Sequence, residues 1–371
     1  MADNQRFLAL DVFRGMTVCF MIIVNNPGSW SSIYSPLTHA GWHGFTPTDL
    51  VFPSFLFAVG NAMAFVMHKY EAQGDAAFWR KTLKRTLIIF LIGYLISWFP
   101  FYDFNAGHFR PIGSTRILGV LQRIALCYFF ASIIIHYCSR KMTIAISIAL
   151  LLGYWIILYV FGDPNDPYSL SGYAGNALDF LVLGKNHLYR GEGVPFDPEG
   201  ILSTLPAIVN VIGGYLAGDF IRRHGNTYET IAKLLLAGCA LILIALTWHL
   251  AFPINKKIWT SSFVLVTVGI SLTILPALMY VIEILKKRGW TNFFVVFGRN
   301  PLFIYLLSDV LIILFHLVPV GDKMIAQWLY RDVFGSFASP INASLLFALF
   351  FMLLNWSVGY WLDRRKIYIR V

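Results

Sequence analysis

Apolar runs of about 20 residues follow one another along this chain with short polar joints between them. As an α-helix, a run of that length covers about 30 Å, the hydrocarbon thickness of a bilayer. Inside lipid every backbone N–H and C=O must be bonded within the protein, and a helix does this for each run by itself. Ten spans are expected, at 7–24, 50–68, 83–99, 117–137, 142–161, 201–221, 231–251, 259–283, 292–317 and 341–362. Composition agrees. Hydrophobic residues make up 57% and charged residues 13%, where soluble domains carry about 25% charged. Mean hydropathy is +0.65. The expected class is all-α: a polytopic integral membrane helical bundle.

The charges orient the spans. Nineteen of the 29 Lys and Arg residues, from Arg6 and Arg14 through the clusters at 69–85, 140–141, 222–233, 286–288 and 364–370 (Arg370 last), fall on one side. Only Arg110, Arg116, Lys185, Arg190, Lys256, Lys257, Lys323 and Arg331 fall on the other. The positive-inside rule then puts both termini in the cytoplasm and requires an even number of spans. The net charge of +10 is read as topology, and nucleic acid is not an expected partner. Asp11 and Arg14 interrupt the first run, so it is expected to stay as a span and not to be cleaved as a signal. Cys19, Cys127 and Cys239 fall in spans and Cys138 directly after one, at unrelated spacings, which predicts neither a disulfide nor a zinc site. Residues 1–371 are expected to form one integral domain. Its long external segment, 162–200, is rich in Gly, Pro, Asn and Asp and is read either as a cap over the outer mouth or as a mobile loop.

Polar groups inside or beside the spans carry the functional argument, because ionisable residues there are costly. The joint from Asn25 to Gly60 has no Lys or Arg, yet holds Asn25, Asn26, His39, Trp42, His43 and Asp49. Such a density of hydrogen-bonding groups fits the handling of a polar molecule. Thr46-Pro47-Thr48-Asp49 reads as a helix start, with Thr as N-cap, Pro first and Asp third. His39 and His43 are four apart and would share a helical face, but Ala-Gly-Trp between them is poor helix material, and no metal is expected. Asp11 and Arg14, three apart, are expected to pair; the alternative is that Arg14 meets a phosphate. Arg123 sits about a third of the way into the fourth span, where an ion pair with Asp49 or another carboxylate is expected. Arg299 lies in Gly-Arg-Asn-Pro, where Pro301 removes a helical hydrogen bond; a kink and a ligand site are both open. Asp197-Pro198-Glu199-Gly200 is expected to cap the sixth span. Asn255-Lys256-Lys257-Ile258-Trp259 is expected to open the eighth, with Lys and Trp as interface anchors.

These residues also carry a resemblance. LDVFRGMTVCFMIIVNNPGSW, LTHAGWHGFTPTDLVFPSFLFAVG, ILGVLQRIALCYF, FDPEGILSTLPAIVNVIGGYLAG, NKKIWTSSFVLVTVG and FGRNPLFIYLLS resemble the heparan-α-glucosaminide N-acetyltransferase family and its bacterial NagX-like relatives, in family order over nearly the whole chain. The resemblance implies a transmembrane acetyltransferase that moves acetyl from cytoplasmic acetyl-CoA to the amine of a glucosamine-type sugar at the outer face. It implies His39 as the active-site histidine, Asn25 near the reacting groups and Asp49 as the aspartate of TxxDLVFP. Imidazole chemistry fits: a base near neutral pKa would take the amine proton, Asn25 would donate to the oxyanion and Asp49 would orient the ring. Arg14, Arg123 and Arg299 are the candidates for acetyl-CoA. Asn26, Trp42, His43, Asp197, Glu199, Asn255, Lys256 and Trp259 are the candidates for the sugar. The expected setting is a bacterial inner membrane, with the bilayer, acetyl-CoA and an amino sugar as partners and a homodimer as a conceivable assembly. The competing class is an amino-sugar transporter, weakened by the lack of an evident inverted repeat.

Overall fold

The structure, a computed structural model, describes residues 7–104 and 106–369; Arg6 and Arg370, counted above among the cytoplasmic cations, lie outside them. The helices in order are α1 Leu8–Asn25, α2 Val51–Met63, α3 His68–Gln73, α4 Asp75–Trp98, α5 Val120–Tyr137, α6 Arg140–Phe161, α7 Gly175–Val182, α8 Thr204–His224, α9 Tyr228–His249, α10 Ser261–Met279, α11 Thr291–Arg299, α12 Pro301–Phe315, α13 Ile325–Trp328 and α14 Pro340–Arg364. Among the described residues the strands form two small antiparallel hairpins, pairing Tyr102 with Phe109 and Pro319 with Met324. The chain is thus a multi-pass, all-α membrane protein.

Among the described residues, eight helical stretches are long and apolar enough to cross a membrane, and α11 with α12 makes a ninth if that pair, bent by 83°, is one span. The expected third span is helical too, as α4, but every 18-residue stretch of it contains Lys81, Lys84 and Arg85. Its place in the bilayer is therefore not given by hydropathy alone. The break between α11 and α12 falls at Asn300, before Pro301, as the missing N–H requires.

The described chain divides into two compact units: residues 7–40, 46–55 and 277–369 in the first, 41–45 and 56–276 in the second. In the first, α1 crosses α11 on two glycines. A Cβ on Gly15 would stand 1.8 Å from the Phe294 carbonyl oxygen, and one on Gly298 would stand 2.4 Å from that of Asp11. In the second, α2 meets α8 the same way: Cβ atoms on Gly60 and Gly214 would each lie 1.9 Å from a backbone oxygen, of Val211 and Phe57 respectively. Lipid gives no hydrophobic drive between helices, so close backbone approach through small residues supplies the packing.

The segment 162–200, expected as a cap or a mobile loop, holds α7 and packs against its neighbours. Tyr154, Leu158, Tyr173, Phe196, Leu202, Phe252 and Ile258 form a buried core, with Trp42, Trp155 and Tyr168 packed around it. Of these, Tyr173 and Phe196 belong to the segment, and burying several aromatics together ties it to the elements around it.

Candidate functional site

Each unit carries its own polar constellation. In the first, the segment after α1 turns through Ser35–Leu37 and runs extended to His39, and the chain re-enters helix at Pro47–Leu50. That re-entry is the expected capping box: the Thr46 side chain accepts from the Asp49 backbone, and the Asp49 carboxylate accepts from the Thr46 N–H at 3.0 Å. Capping leaves the carboxylate with oxygen to spare. Asp49 Oδ1 lies 2.7 Å from His39 Nδ1, and Oδ2 also accepts from the Ala40 N–H at 3.1 Å. Asp49 is 1% exposed, whereas the His39 side chain is 41% exposed. The readings of Asp49 as cap and as partner of His39 therefore both hold.

A carboxylate against Nδ1 places the ring proton there, so Nε2 carries the lone pair. A buried, multiply bonded aspartate fixes the ring through Nδ1, while the ring itself reaches solvent. Asn25 is the last residue of α1 and is exposed. Asn26 is buried and returns its amide Nδ2 to the Ile22 carbonyl at 2.8 Å, so its donor closes the end of α1.

The three arginines expected at acetyl-CoA sit in different settings. Arg14 pairs with Asp11 at 2.8 Å, as the spacing predicts, and also donates Nε to the Gly298 carbonyl at 2.8 Å. Arg299 is bonded to Asp363, and beside it the Asn300 amide clamps the chain after α14, donating to the Ile367 carbonyl at 3.0 Å and accepting from the Ile369 N–H at 2.8 Å. Arg123 corrects an expectation. It lies in the first turn of α5, fully buried, and no carboxylate is within ion-pair distance among the described residues. Its Nη2 donates to Ser203 and, at 3.0 Å, to the Gly200 carbonyl, and its guanidinium lies 5.0 Å over the Trp259 ring. The turns before α8 and α10 bury it, which a reading of α5 alone does not reveal.

The second unit gathers the remaining candidates. Asn255 Nδ2 meets His43 Nδ1 at 3.3 Å, and Gly44 donates its N–H to the Ile254 carbonyl at 2.8 Å. Burial lowers the His43 pKa, with Asp166 opposing and His249 reinforcing. Trp42 donates Nε1 to the Tyr168 carbonyl at 2.8 Å, and Lys257 lies 5.7 Å over its ring while pairing with Glu192 at 2.7 Å. His39 and His43 are not on a common helix: the stretch between them is extended and bent, and His39 belongs to the first unit.

Two helix-start expectations are corrected here. Asp197 does not cap α8, which begins at Thr204 without a side-chain cap. Its carboxylate instead accepts from Nε and Nη2 of Arg116, at 2.9 and 2.6 Å, and Arg116 also reaches Glu199 at 2.5 Å and stacks on Tyr189 at 4.9 Å. Burial raises the Asp197 pKa against the pull of Arg116. For Glu199 burial pushes the same way, but Arg116, Arg123 and Lys256 outweigh it and the pKa falls. Trp259 is no interface anchor. It is 1% exposed, has φ of +52°, and donates Nε1 to Asn210 at 3.0 Å. Asn255 makes that turn by accepting from the Ile258 N–H at 3.1 Å. A bulky residue at positive φ is strained and persists only where its surroundings fix it.

Sequence reasoning missed Arg116, Thr46 as a bonding hydroxyl, and Asp179. Asp179 is buried on α7 and accepts from the Ile201 N–H at 2.9 Å; burial pushes its pKa up to about 6. Thr46 was visible as a cap, but Arg116 gave no local signal.

Residues 6–233 match the family model described as heparan-alpha-glucosaminide N-acetyltransferase, catalytic. The chain is 28% identical over 363 residues to the mouse heparan-alpha-glucosaminide N-acetyltransferase, covering 84% of this chain and 54% of that protein. It is 28% identical over 359 residues to the human protein of the same name, covering 82% and 53%. The chain thus spans about half the length of these curated relatives. With a match running from the first helix through the whole His39–Asp49 segment and the Asp197–Glu199 turn, the chain belongs to the heparan-alpha-glucosaminide N-acetyltransferase family.

Proposed function

We propose that the chain is a transmembrane acetyltransferase, taking acetyl from cytoplasmic acetyl-CoA and passing it to the amine of a glucosamine-type sugar at the outer face of a bacterial inner membrane. The observation that carries the reading is the His39–Asp49 pair, 2.7 Å apart, with the aspartate buried and the imidazole half-exposed. An amine attacks a thioester only as the free base, and this pair supplies a base held in one tautomer.

His39 Nε2 takes the proton from the amine as the C–N bond forms. Asn25 donates to the carbonyl oxygen while it carries negative charge. As the C–S bond breaks, His39 returns the proton to the departing sulfur, so products are an amide and a thiol. Transfer is direct, with both substrates bound together.

The anionic nucleotide of acetyl-CoA fits the cationic end of the first unit. Arg299 keeps a buried Nε without a partner, Arg14 bonds the carbonyl next to it, and Arg364, Arg365 and Lys366 are exposed at the end of α14. Arg123, fully buried, belongs to the scaffold of the second unit. Trp42, His43, Glu199, Asn255 and Lys256 remain the candidates for the sugar that the second unit carries.

The test is purified protein with acetyl-CoA and glucosamine. Release of free CoA with matching N-acetylglucosamine is expected. CoA release no faster than spontaneous hydrolysis, with the sugar unmodified, overturns the reading and leaves a carrier as the competing function.

A further inference from the structure

Thr46 does more than start a helix. Its hydroxyl lies 2.7 Å from the Thr38 carbonyl, in the residue directly before His39, and 3.0 Å from Asp49 Oδ2. It also accepts from the Asp49 backbone. One hydroxyl therefore touches both the chain that carries the imidazole and the carboxylate that orients it. A threonine hydroxyl has one hydrogen and two acceptor sites, so it donates to one of these oxygens at a time while accepting from the Asp49 N–H, and in that way links Thr38 to Asp49. Thr48, two residues on and 1% exposed, anchors the same loop by donating to the Pro36 carbonyl at 3.2 Å, but it makes no bond to Asp49.

We infer that Thr46 is a positioning residue that sets the His39–Asp49 hydrogen bond by linking Thr38 and Asp49 through one hydroxyl. Valine matches its shape and removes that link. It leaves the Thr38 carbonyl without this donor and the carboxylate with one contact fewer. The loss falls on the placement of the base and not on binding, because Thr46 acts through His39. A small misplacement of a reacting group lowers turnover far more than it lowers affinity. The inference rests on His39 being the base.

The experiment compares Thr46→Val, Thr46→Ser and Thr48→Val in the full chain, with two readouts. In kinetics, Thr46→Val is expected to lower kcat by about 10-fold or more, with KM for acetyl-CoA within about threefold. Thr46→Ser restores turnover, and Thr48→Val stays near wild type. In protein labelled with ¹⁵N-histidine and free of substrates, the His39 Nδ1–H signal, assigned by its loss in His39→Ala, broadens or moves in Thr46→Val and returns in Thr46→Ser. An unchanged kcat and signal in Thr46→Val overturn the inference. So does an equal loss in Thr48→Val, which reduces the effect to loop anchoring, or a failure of Thr46→Ser to rescue. If wild-type protein shows no transfer at all, the functional reading fails, and the spectroscopic arm still decides whether Thr46 positions the pair.

Discussion

His39 presents its ring to solvent while a buried aspartate grips one nitrogen, a division that a purely structural histidine does not need. His39→Ala is expected to reduce turnover by roughly 10²–10⁴-fold, the usual worth of a general base, with acetyl-CoA affinity little changed by equilibrium binding. Asp49→Asn should cost less but clearly, since an amide still fills the space and can still accept one bond from the loop. Near-normal saturated turnover in His39→Ala would make the residue structural. This pair was legible because the pattern Thr-Pro-Thr-Asp states a capping box in four adjacent positions, and the resemblance drew attention to the histidine ten residues before it. Arg116 was not legible. Its partners Asp197 and Glu199 are 81 and 83 residues away, and nothing local marks an arginine that a distant turn will bind. Arg123 was noticed but misassigned, because its partners are a carbonyl, a hydroxyl and an indole face instead of a carboxylate.

Among the elements, the helix crossings and the segment 162–200 make separate predictions. At Gly60 a Cβ would meet the Val211 carbonyl oxygen at 1.9 Å, and backbone cannot yield as a side chain can. Gly60→Val is expected to destabilise the protein by about 1–3 kcal/mol or more, read as a lower thermal midpoint in detergent. Gly153→Ala, with nothing within 4 Å of the new carbon, is expected to be neutral or slightly stabilising. In that segment, the Asp179 pKa is pushed up from 3.8 to about 6 by burial. The folded state therefore holds this proton more tightly than the unfolded chain. The stability it contributes is complete below about pH 4 and is lost as pH rises through about 6. Asp179→Asn, which can still accept from Ile201, should raise stability at pH 7 by at most about 3 kcal/mol and do little at pH 4. Equal shifts at both pH values would contradict the assignment. The helices themselves were legible from apolar run length. The starts of α5, α8 and α10 were each read two or three residues early, because the segments before α8 and α10 are turns held by Asp197 and Asn255 and the one before α5 runs extended through Gly119.

For the whole molecule, the asymmetry of Lys and Arg predicts that the segment holding His39 lies opposite to the ends of the chain. In a variant without native cysteines, Ser31→Cys should react with an impermeant reagent in intact spheroplasts, and Ala76→Cys should not; the reverse pattern inverts the orientation and the direction of transfer with it. Run length located the long apolar helices. It could not foresee that residues 162–200 would pack into an aromatic core, since that core draws on Tyr154, Phe252 and Ile258 from beyond the segment's own borders. The most direct measurement places the two substrates on opposite sides of one bilayer. Protein is reconstituted in liposomes with its cytoplasmic face outward, labelled acetyl-CoA is supplied outside, and glucosamine is enclosed. Several phosphates make the passage of the nucleotide through hydrocarbon prohibitive, whereas the acyl arm is slim and nearly neutral. The predicted result is labelled N-acetylglucosamine in the lumen with CoA only outside, abolished in His39→Ala. Unmodified glucosamine equilibrating across the membrane without consumption of acetyl-CoA would contradict it and make the protein a carrier.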